Sequence, residues 1–185
     1  WAAASREQAQ IGYSQAEGMV LRSPRMHEPV HSAIQAAKGK RKTQVPRFLC
    51  LEGYRRINHH GGGRIQVFAA DDRTGDGIIP TLGIIDEPHR QRDLSLYRTW
   101  SGKLLKRSGQ IVAISTSGEP ESDFENTRTR IIETAGERTI DGPFTRVVAD
   151  RIVLHQWAVP AEADPEDLEV VKAANPFSGI SLEML

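Results

Sequence analysis

Two short apolar runs, each followed by polar residues, are the strongest pattern in the chain. Residues 82–85 carry no charge and lead directly into Asp86 and Glu87, whereas the run that begins at Gln110 ends in hydroxyl groups from Ser115 onward. Short apolar runs bounded by turn signals are typical of buried strands in a parallel sheet. Because ligands of open α/β sheets bind at the carboxyl ends of the strands, we expect both polar ends at one functional edge.

The polar and apolar pattern also predicts a helix near the start of the chain. Ser5 and Gln8 have the spacing of a capping box, which satisfies free backbone groups at a helix N-terminus. Pro24 is expected to end this helix. Its apolar residues recur at a helical interval and are Ala9, Tyr13, Ala16 and Val20.

Three further helices are predicted from apolar faces or start signals. One follows Glu87, a charged one covers residues 121–138, and one begins with Asp164 at the N-cap and proline at the next position. The expected buried faces of the first two are Leu94, Tyr97, Ser101 and Leu104, and Phe124, Ile131, Ile132 and Ala135.

Two antiparallel strand pairs are predicted as well. Residues 54–58 and 64–70 surround the turn 59–63, and residues 146–150 and 152–159 form the second pair. The glycines of the turn do not match a Walker A loop, because such a loop needs Gly-Lys-Ser or Gly-Lys-Thr entering a helix. A strand-like segment follows here, so we expect a hairpin.

Residues 27–31 match the zinc motif H-E-x-x-H letter for letter. Zinc would need His27 and His31 one turn apart on a helix, and Pro29 between them disrupts that helix. A loop entering a helix near residues 30–37 is therefore the favoured interpretation.

Composition limits the function classes only weakly. The chain has 185 residues, and 24 basic side chains balance 24 acidic ones, so no global field favours nucleic acid or membrane. The single Cys50 excludes an internal disulfide, and no stretch approaches the roughly 20 apolar residues that span a bilayer. Because the first residue is Trp1, we expect a piece of a longer polypeptide.

Two local features could contact phosphate groups. The glycine-punctuated segment 71–77 is either a simple connection or a loop that places Arg73 near a phosphate or a neighbouring subunit, as arginine fingers are placed. A basic cluster is either a solvated surface or a contact to a phosphate backbone; it consists of Lys38, Lys40, Arg41 and Lys42.

Asp86 and Glu87 are the candidate catalytic residues. Asp86 could hold Mg²⁺ through the water shell that this ion retains, while Glu87 could polarise the water that attacks a γ-phosphate. This is the Walker B pattern of P-loop NTPases. The alternative is that both carboxylates cap the next helix. Likewise, the hydroxyls from Ser115 onward either sense the γ-phosphate or its water or belong to a simple turn.

Taken together, and in their order along the chain, these segments resemble the ATPase domain of the large terminase subunit of tailed bacteriophages. Residues 81–87 are similar to that family's Walker B strand. The coupling motif of that family is similar to the segment Ser115, Thr116, Ser117 and Gly118. The family usually has alanine at the position of Ser117. The other matching segments are residues 2–9, 19–24, 157–159 and 174–176, the last two resembling the stretch that leads to the nuclease domain.

The resemblance implies a three-layer P-loop NTPase fold of the ASCE or RecA-like type, an α/β sheet flanked by helices, with an added β-hairpin region. Residues 1–160 would be a partial ATPase domain and residues 161–185 the start of a linker toward a nuclease domain. No Gly-x-x-x-x-Gly-Lys-[Ser/Thr] occurs in the chain. We therefore expect the Walker A loop upstream, no activity in the isolated chain, and an exposed apolar sheet edge.

The resemblance further implies an ATPase that translocates double-stranded phage DNA into a capsid in the cytoplasm of the bacterial host. ATP and Mg²⁺ would be its cofactors. The portal protein, the small terminase subunit and further copies in a ring would be its partners, with no membrane involved. Asp86 would help to hold Mg²⁺, Glu87 would activate water, residues 115–118 would couple hydrolysis to movement, and Arg73 is a candidate trans-acting finger.

Two alternatives remain open. Another ASCE-type ATPase, such as a helicase, would share the Asp86–Glu87 pair and the hydroxyl-tipped strand. A non-catalytic interaction module would use the two carboxylates only as helix caps, and it predicts that Asp86 and Ser115 lie on opposite sheet edges or far apart.

Overall fold

The computed structural model describes residues 1–31, 44–70, 77–104 and 106–185, without the side chain of His31. It contains two compact units, Trp1–Pro120 and Glu121–Leu185. The expected boundary near residue 160, between an ATPase domain and a linker, stays a prediction.

Short strands and a few helices make up the described residues. The strands are β1 (Ala2–Ala3), β2 (Val30–His31), β3 (Gln44–Val45), β4 (Phe48–Leu51), β5 (Arg56–His59), β6 (Arg64–Gln66), β7 (Phe68–Ala69), β8 (Leu82–Asp86), β9 (Gln110–Ile114), β10 (Glu137–Asp141), β11 (Phe144–Ala149) and β12 (Ile152–Trp157). The α-helices are α1 (Arg6–Arg22), α2 (Pro24–His27), α3 (Ser95–Leu104), α4 (Asp123–Thr134) and α5 (Leu168–Ala173), and single 3₁₀ turns cover Glu52–Tyr54, Pro88–Arg90 and Leu182–Met184.

The first unit is organised around a four-stranded sheet in the order β7-β1-β8-β9. All three pairings are parallel. Strands β8 and β9 are in register over their whole length, from Leu82 opposite Gln110 to Asp86 opposite Ile114. The two strands predicted from the apolar runs are therefore neighbours, and their carboxyl ends share one edge.

Helices cover both faces of this sheet. Ala2 and Ala3 of β1 point to opposite faces, since successive strand residues alternate. On one face Ala3 packs in a cluster with the α1 residues Ala9, Tyr13 and Val20. On the other face Ala2 packs with Phe68, Ile85 and the α3 residues Leu96 and Trp100.

Helix α1 begins as its sequence predicts. Ser5 is the N-cap, and its hydroxyl accepts a hydrogen bond from the backbone N–H of Gln8 at 3.2 Å. Only this half of the predicted capping box is found among the described residues, because the side chain of Gln8 donates to Glu87 instead. The helix ends at Arg22, two residues before Pro24. The predicted apolar face is confirmed, with Ala9 and Tyr13 fully buried.

The buried face of α3 differs from the prediction. Leu94, directly before the helix, is buried as predicted. Within the helix, however, the buried residues are Leu96 and Trp100 rather than Tyr97, Ser101 and Leu104. The indole of Trp100 lies against Gly83 of β8, so closely that a Cβ added to Gly83 would be 2.7 Å from Trp100 Cε3. The missing side chain of Gly83 makes room for the tryptophan, and the helical pattern alone does not reveal this.

Strand β9 also departs from its prediction as a buried strand. Ile114 is 57% exposed and Val112 is 38% exposed. In the described part of the chain β9 pairs only with β8 and ends the sheet. The apolar run therefore predicts the strand correctly but not its burial, which depends on a neighbour.

A second, antiparallel sheet in the order β4-β5-β6 contains the predicted hairpin. Strands β5 and β6 pair from Arg56 opposite Gln66 to Asn58 opposite Arg64, and Gly62 takes a φ of 94° in the turn between them, a conformation that glycine tolerates well. The chain then leaves the hairpin, because Phe68–Ala69 joins the parallel sheet as β7.

The predicted helix near residues 30–37 is wrong at its first residues. Val30 and His31 form β2, which pairs antiparallel with β3. His27 ends the short helix α2, so the H-E-x-x-H residues do not share one helix. Residues 32–37 lie outside the described residues.

The second unit is a helix followed by a three-stranded antiparallel meander, β10-β11-β12. The predicted pairing of β11 with β12 is confirmed. Helix α4 ends at Thr134, and Glu137–Asp141 is strand β10 rather than the last turn of the helix. Helix α5 has Asp167 as its N-cap, rather than the predicted Asp164. The side chain of Asp164 instead accepts a hydrogen bond from the N–H of Glu166 at 2.9 Å in a preceding turn.

The architecture is thus mixed α/β, with a four-stranded parallel sheet and small antiparallel sheets that include the added hairpin. Across the described ranges, no helix combines the length and the apolar character that a bilayer crossing requires.

Candidate active site at the carboxyl edge of the parallel sheet

The ends of β8 and β9 bring the predicted acidic and hydroxyl residues side by side. Asp86 is the last residue of β8 and lies opposite Ile114. The ladder continues one step further, since the N–H of Glu87 donates to the carbonyl of Ile114 at 2.8 Å. Glu87 and Ser115 therefore leave adjacent strands at the same level, which contradicts the geometry expected of the non-catalytic module.

Glu87 has a backbone conformation that is uncommon for a residue with a side chain. Its φ of 47° and ψ of 53° lie in the left-handed region, where a non-glycine residue carries strain. It precedes a single 3₁₀ turn, Pro88–Arg90, and its side chain makes no capping hydrogen bond to that turn. The Glu87 carboxylate therefore does not act as the helix cap that the alternative interpretation expects.

Two side chains hold the Glu87 carboxylate in place. Gln8 Nε2 donates a hydrogen bond to Glu87 Oε2 at 2.8 Å, and Arg90 Nε lies 3.2 Å from the same oxygen. The Glu87 side chain keeps 29% of its surface exposed. The carboxylate is thus fixed from two directions while remaining accessible to water.

Asp86 is half-buried at the end of β8. Within the described residues its carboxylate has no ion pair or side-chain hydrogen bond, so its oxygens are free to bind a cation. No group of three or more His, Cys, Asp or Glu side chains that could hold a metal occurs in the described ranges. Mg²⁺ does not need such a group, since it commonly uses one or two carboxylates, waters and substrate phosphates.

His89 connects the acidic turn to the hydroxyl residues. Its Nδ1 lies 2.8 Å from Ser115 Oγ and its Nε2 lies 3.4 Å from Thr116 Oγ1. One ring nitrogen of a neutral imidazole donates and the other accepts, so the ring can serve both hydroxyls. The imidazole thus ties the turn after β8 to the segment after β9.

Ser115, Thr116 and Ser117 are exposed and Gly118 is half-buried in an irregular segment that follows β9. The first two of these residues contact the acidic turn through His89. The structure therefore brings together Asp86, Glu87, Ser115 and Thr116, and it places Ser117 and Gly118 directly behind them in the chain.

Three contributors to this edge escaped the sequence analysis: Gln8, His89 and Arg90. Gln8 was recognised only as a capping residue, and its contact with Glu87 spans 79 positions. His89 and Arg90 come shortly after the acidic pair in the sequence, and this short separation could have identified them as neighbours of the candidate site.

The other predicted phosphate contacts lie outside the described residues. These are the candidate arginine finger Arg73 and the basic cluster Lys38, Lys40, Arg41 and Lys42, and they stay predictions. Burial and, secondarily, the charge of Glu17 raise the pKa of the thiol of Cys50, the single cysteine, and disfavour the reactive thiolate.

Comparison with known proteins supplies no family for the chain: no family model, no curated protein and no solved structure matches it.

Proposed function

We propose that the chain is part of a phage DNA-packaging motor, the ATPase portion of a terminase large subunit, and that the carboxyl edge of β8 and β9 is its hydrolytic site. The observation that carries the proposal is the in-register pairing of these strands, which sets Asp86 and Glu87 beside Ser115. A water-activating carboxylate and a group that responds to the phosphate must share one site, and this pairing provides that proximity.

Each residue of the edge has a defined task in this proposal. Bound MgATP would supply the reactive γ-phosphoryl group and the divalent charge that neutralises it. Asp86, with its unpaired carboxylate, fits the water shell of Mg²⁺. Glu87 accepts a proton from the attacking water, while Gln8 and Arg90 keep its carboxylate oriented. The hydroxyl groups of Ser115 and Thr116 sense the γ-phosphate or its water through hydrogen bonds.

The exposed edge of β9 supports the same proposal. A sheet edge that presents Val112 and Ile114 to solvent is an association liability that proteins usually cover. The proposed function requires a phosphate-binding strand and loop from outside these 185 residues, and the open side of β9 is a suitable place for such a strand.

The decisive test is Glu87→Gln in a polypeptide that joins this chain to a Walker A segment encoded ahead of it. Removing the proton acceptor should lower the ATP turnover number by about 10²- to 10⁴-fold, the usual contribution of a general base. Nucleotide affinity should change little, because the amide keeps the size of the side chain. Turnover is measured as phosphate release and affinity with a fluorescent ATP analogue.

Glu133→Gln is the matched control, since Glu133 is exposed on α4 and should leave turnover unchanged. Equal turnover in Glu87→Gln and the unaltered polypeptide would remove Glu87 from the chemistry. If the adjoining coding sequence instead specifies a second RecA-like lobe, the helicase alternative replaces the terminase.

A further inference from the structure

The antiparallel sheet β4-β5-β6 has one face toward the core and one face toward solvent. Ile57 is 1% exposed on the core face. Because strand residues alternate, its neighbours Arg56 and Asn58 point the other way, opposite Gln66 and Arg64 in the pairing register. These four side chains, Arg56, Asn58, Arg64 and Gln66, form what we call the cationic face.

The charge of the cationic face is uncompensated. In the described part of the chain, no carboxylate lies within ion-pair distance of Arg56 or Arg64, although acidic and basic residues balance over the chain as a whole. A guanidinium group without a carboxylate partner is suited to pair with the oxygens of a phosphate.

A concavity lies on this face and continues over the hairpin turn. Its volume is about 370 Å³, and it is lined by Arg56, Asn58, Arg64 and the turn residues His59, His60, Gly62 and Gly63. This volume is within the range of small-ligand pockets and is suited to a nucleotide unit. None of the lining residues is acidic, so the walls favour a phosphate.

An exposed aromatic ring lies beside these cations. Tyr54 is 70% exposed, and the guanidinium carbon of Arg56 is 5.4 Å from its ring centroid. Aromatic rings next to a basic groove are the typical platform on which unpaired bases stack. In a duplex the bases stack on one another and are unavailable to such a ring.

We propose that the cationic face binds single-stranded nucleic acid. Arg56 and Arg64 contact backbone phosphates, Asn58 adds an amide donor, and one base stacks on Tyr54. This site involves none of the residues assigned to the hydrolytic edge, so it does not depend on the proposed ATPase function.

The test uses the 185-residue chain and a fluorescein-labelled oligothymidylate, with binding followed by fluorescence anisotropy between about 50 and 200 mM salt. Arg64→Gln should weaken binding and reduce the slope of log K against log salt by about 0.7, the value for one lost phosphate contact on a single strand. Tyr54→Ala should weaken binding about fivefold or more, and Tyr54→Phe should retain it.

Arg107→Gln is the matched control, because Arg107 is exposed in the turn before β9 and its loss removes the same charge. Equal losses in Arg64→Gln and Arg107→Gln would overturn the proposal in favour of diffuse attraction. A duplex of the same length that binds as tightly, with no effect of Tyr54→Ala, would overturn the single-strand assignment. Binding to anionic phosphatidylglycerol vesicles without binding to the oligonucleotide would overturn it in favour of a lipid surface.

Discussion

Strands β8 and β9 look alike in sequence and differ sharply in the structure. Each is a five-residue strand built on a four-residue apolar run, and each ends beside candidate functional side chains. In β8, Ile85 is fully buried, with β1 on one side and β9 on the other. In β9, Ile114 is 57% exposed. The contrast shows that an apolar run specifies strand formation, whereas burial is supplied by distant segments that happen to pack beside it.

The largest expected difference separates two matched isoleucine truncations. Ile85→Ala should lower the free energy of unfolding by about 2–5 kcal/mol, because it removes buried methyl groups and leaves a cavity. Ile114→Ala should change it by about 0.5 kcal/mol or less, as is usual for an exposed position. Urea denaturation followed by circular dichroism measures both values.

The two isoleucines lie on adjacent parallel strands, so each truncation controls for the other. Similar losses in both variants would show that β9 is covered in solution and would abolish the contrast between the strands.

A second matched pair examines why β8 is buried. Gly83→Ala should cost about 1–3 kcal/mol through overpacking, since the new Cβ would meet the ring of Trp100. Gly102→Ala on α3 should stabilise by up to about 1 kcal/mol, because alanine favours a helix and the added Cβ would meet nothing within 4 Å beyond its chain neighbours and the backbone of its own helix. Thermal unfolding and tryptophan fluorescence follow both variants.

An unchanged melting temperature and unchanged fluorescence in Gly83→Ala would mean that Trp100 does not lie on β8. The packing that distinguishes β8 from β9 would then need another explanation.

The smallest effect concerns the link between the two strand ends. Ser115→Ala should lower the free energy of unfolding by about 1 kcal/mol or less, the range for a single exposed hydrogen bond. It should nevertheless change the ring-nitrogen NMR signals of His89, because the contact at 2.8 Å is lost.

Ser117→Ala is the control for this prediction, since no hydrogen bond of its side chain is found among the described residues. If the His89 signals respond equally to both substitutions, the imidazole does not join the two strand ends.

The predictable parts of the structure are those set by local chemistry. The spacing of Ser5 and Gln8 predicts the start of α1, and the glycines in the turn predict the hairpin of β5 and β6. The end of α4 was missed because charged residues such as Glu137 and Arg138 suit a helix as well as an exposed strand. Only the pairing of β10 with β11 decides between them.

The candidate site divides in the same way. The placement of Asp86 and Glu87 beside the hydroxyl residues was predictable, because their position after an apolar run reflects the topology of parallel sheets. The contact between Gln8 and Glu87 was not, since it joins residues 79 positions apart and depends on how α1 packs on the sheet. Long-range packing of this kind leaves no periodic signal in a single sequence.

The left-handed backbone at Glu87 has a consequence for mutational scanning. Any substitution at position 87 tests conformational tolerance as well as charge: glycine and asparagine adopt this geometry readily, whereas valine and isoleucine resist it. A scan that ranks variants by abundance would therefore favour glycine and penalise valine, whatever either does to the proposed catalysis. Only an isosteric exchange to glutamine separates the role of the acid from the demands of the main chain.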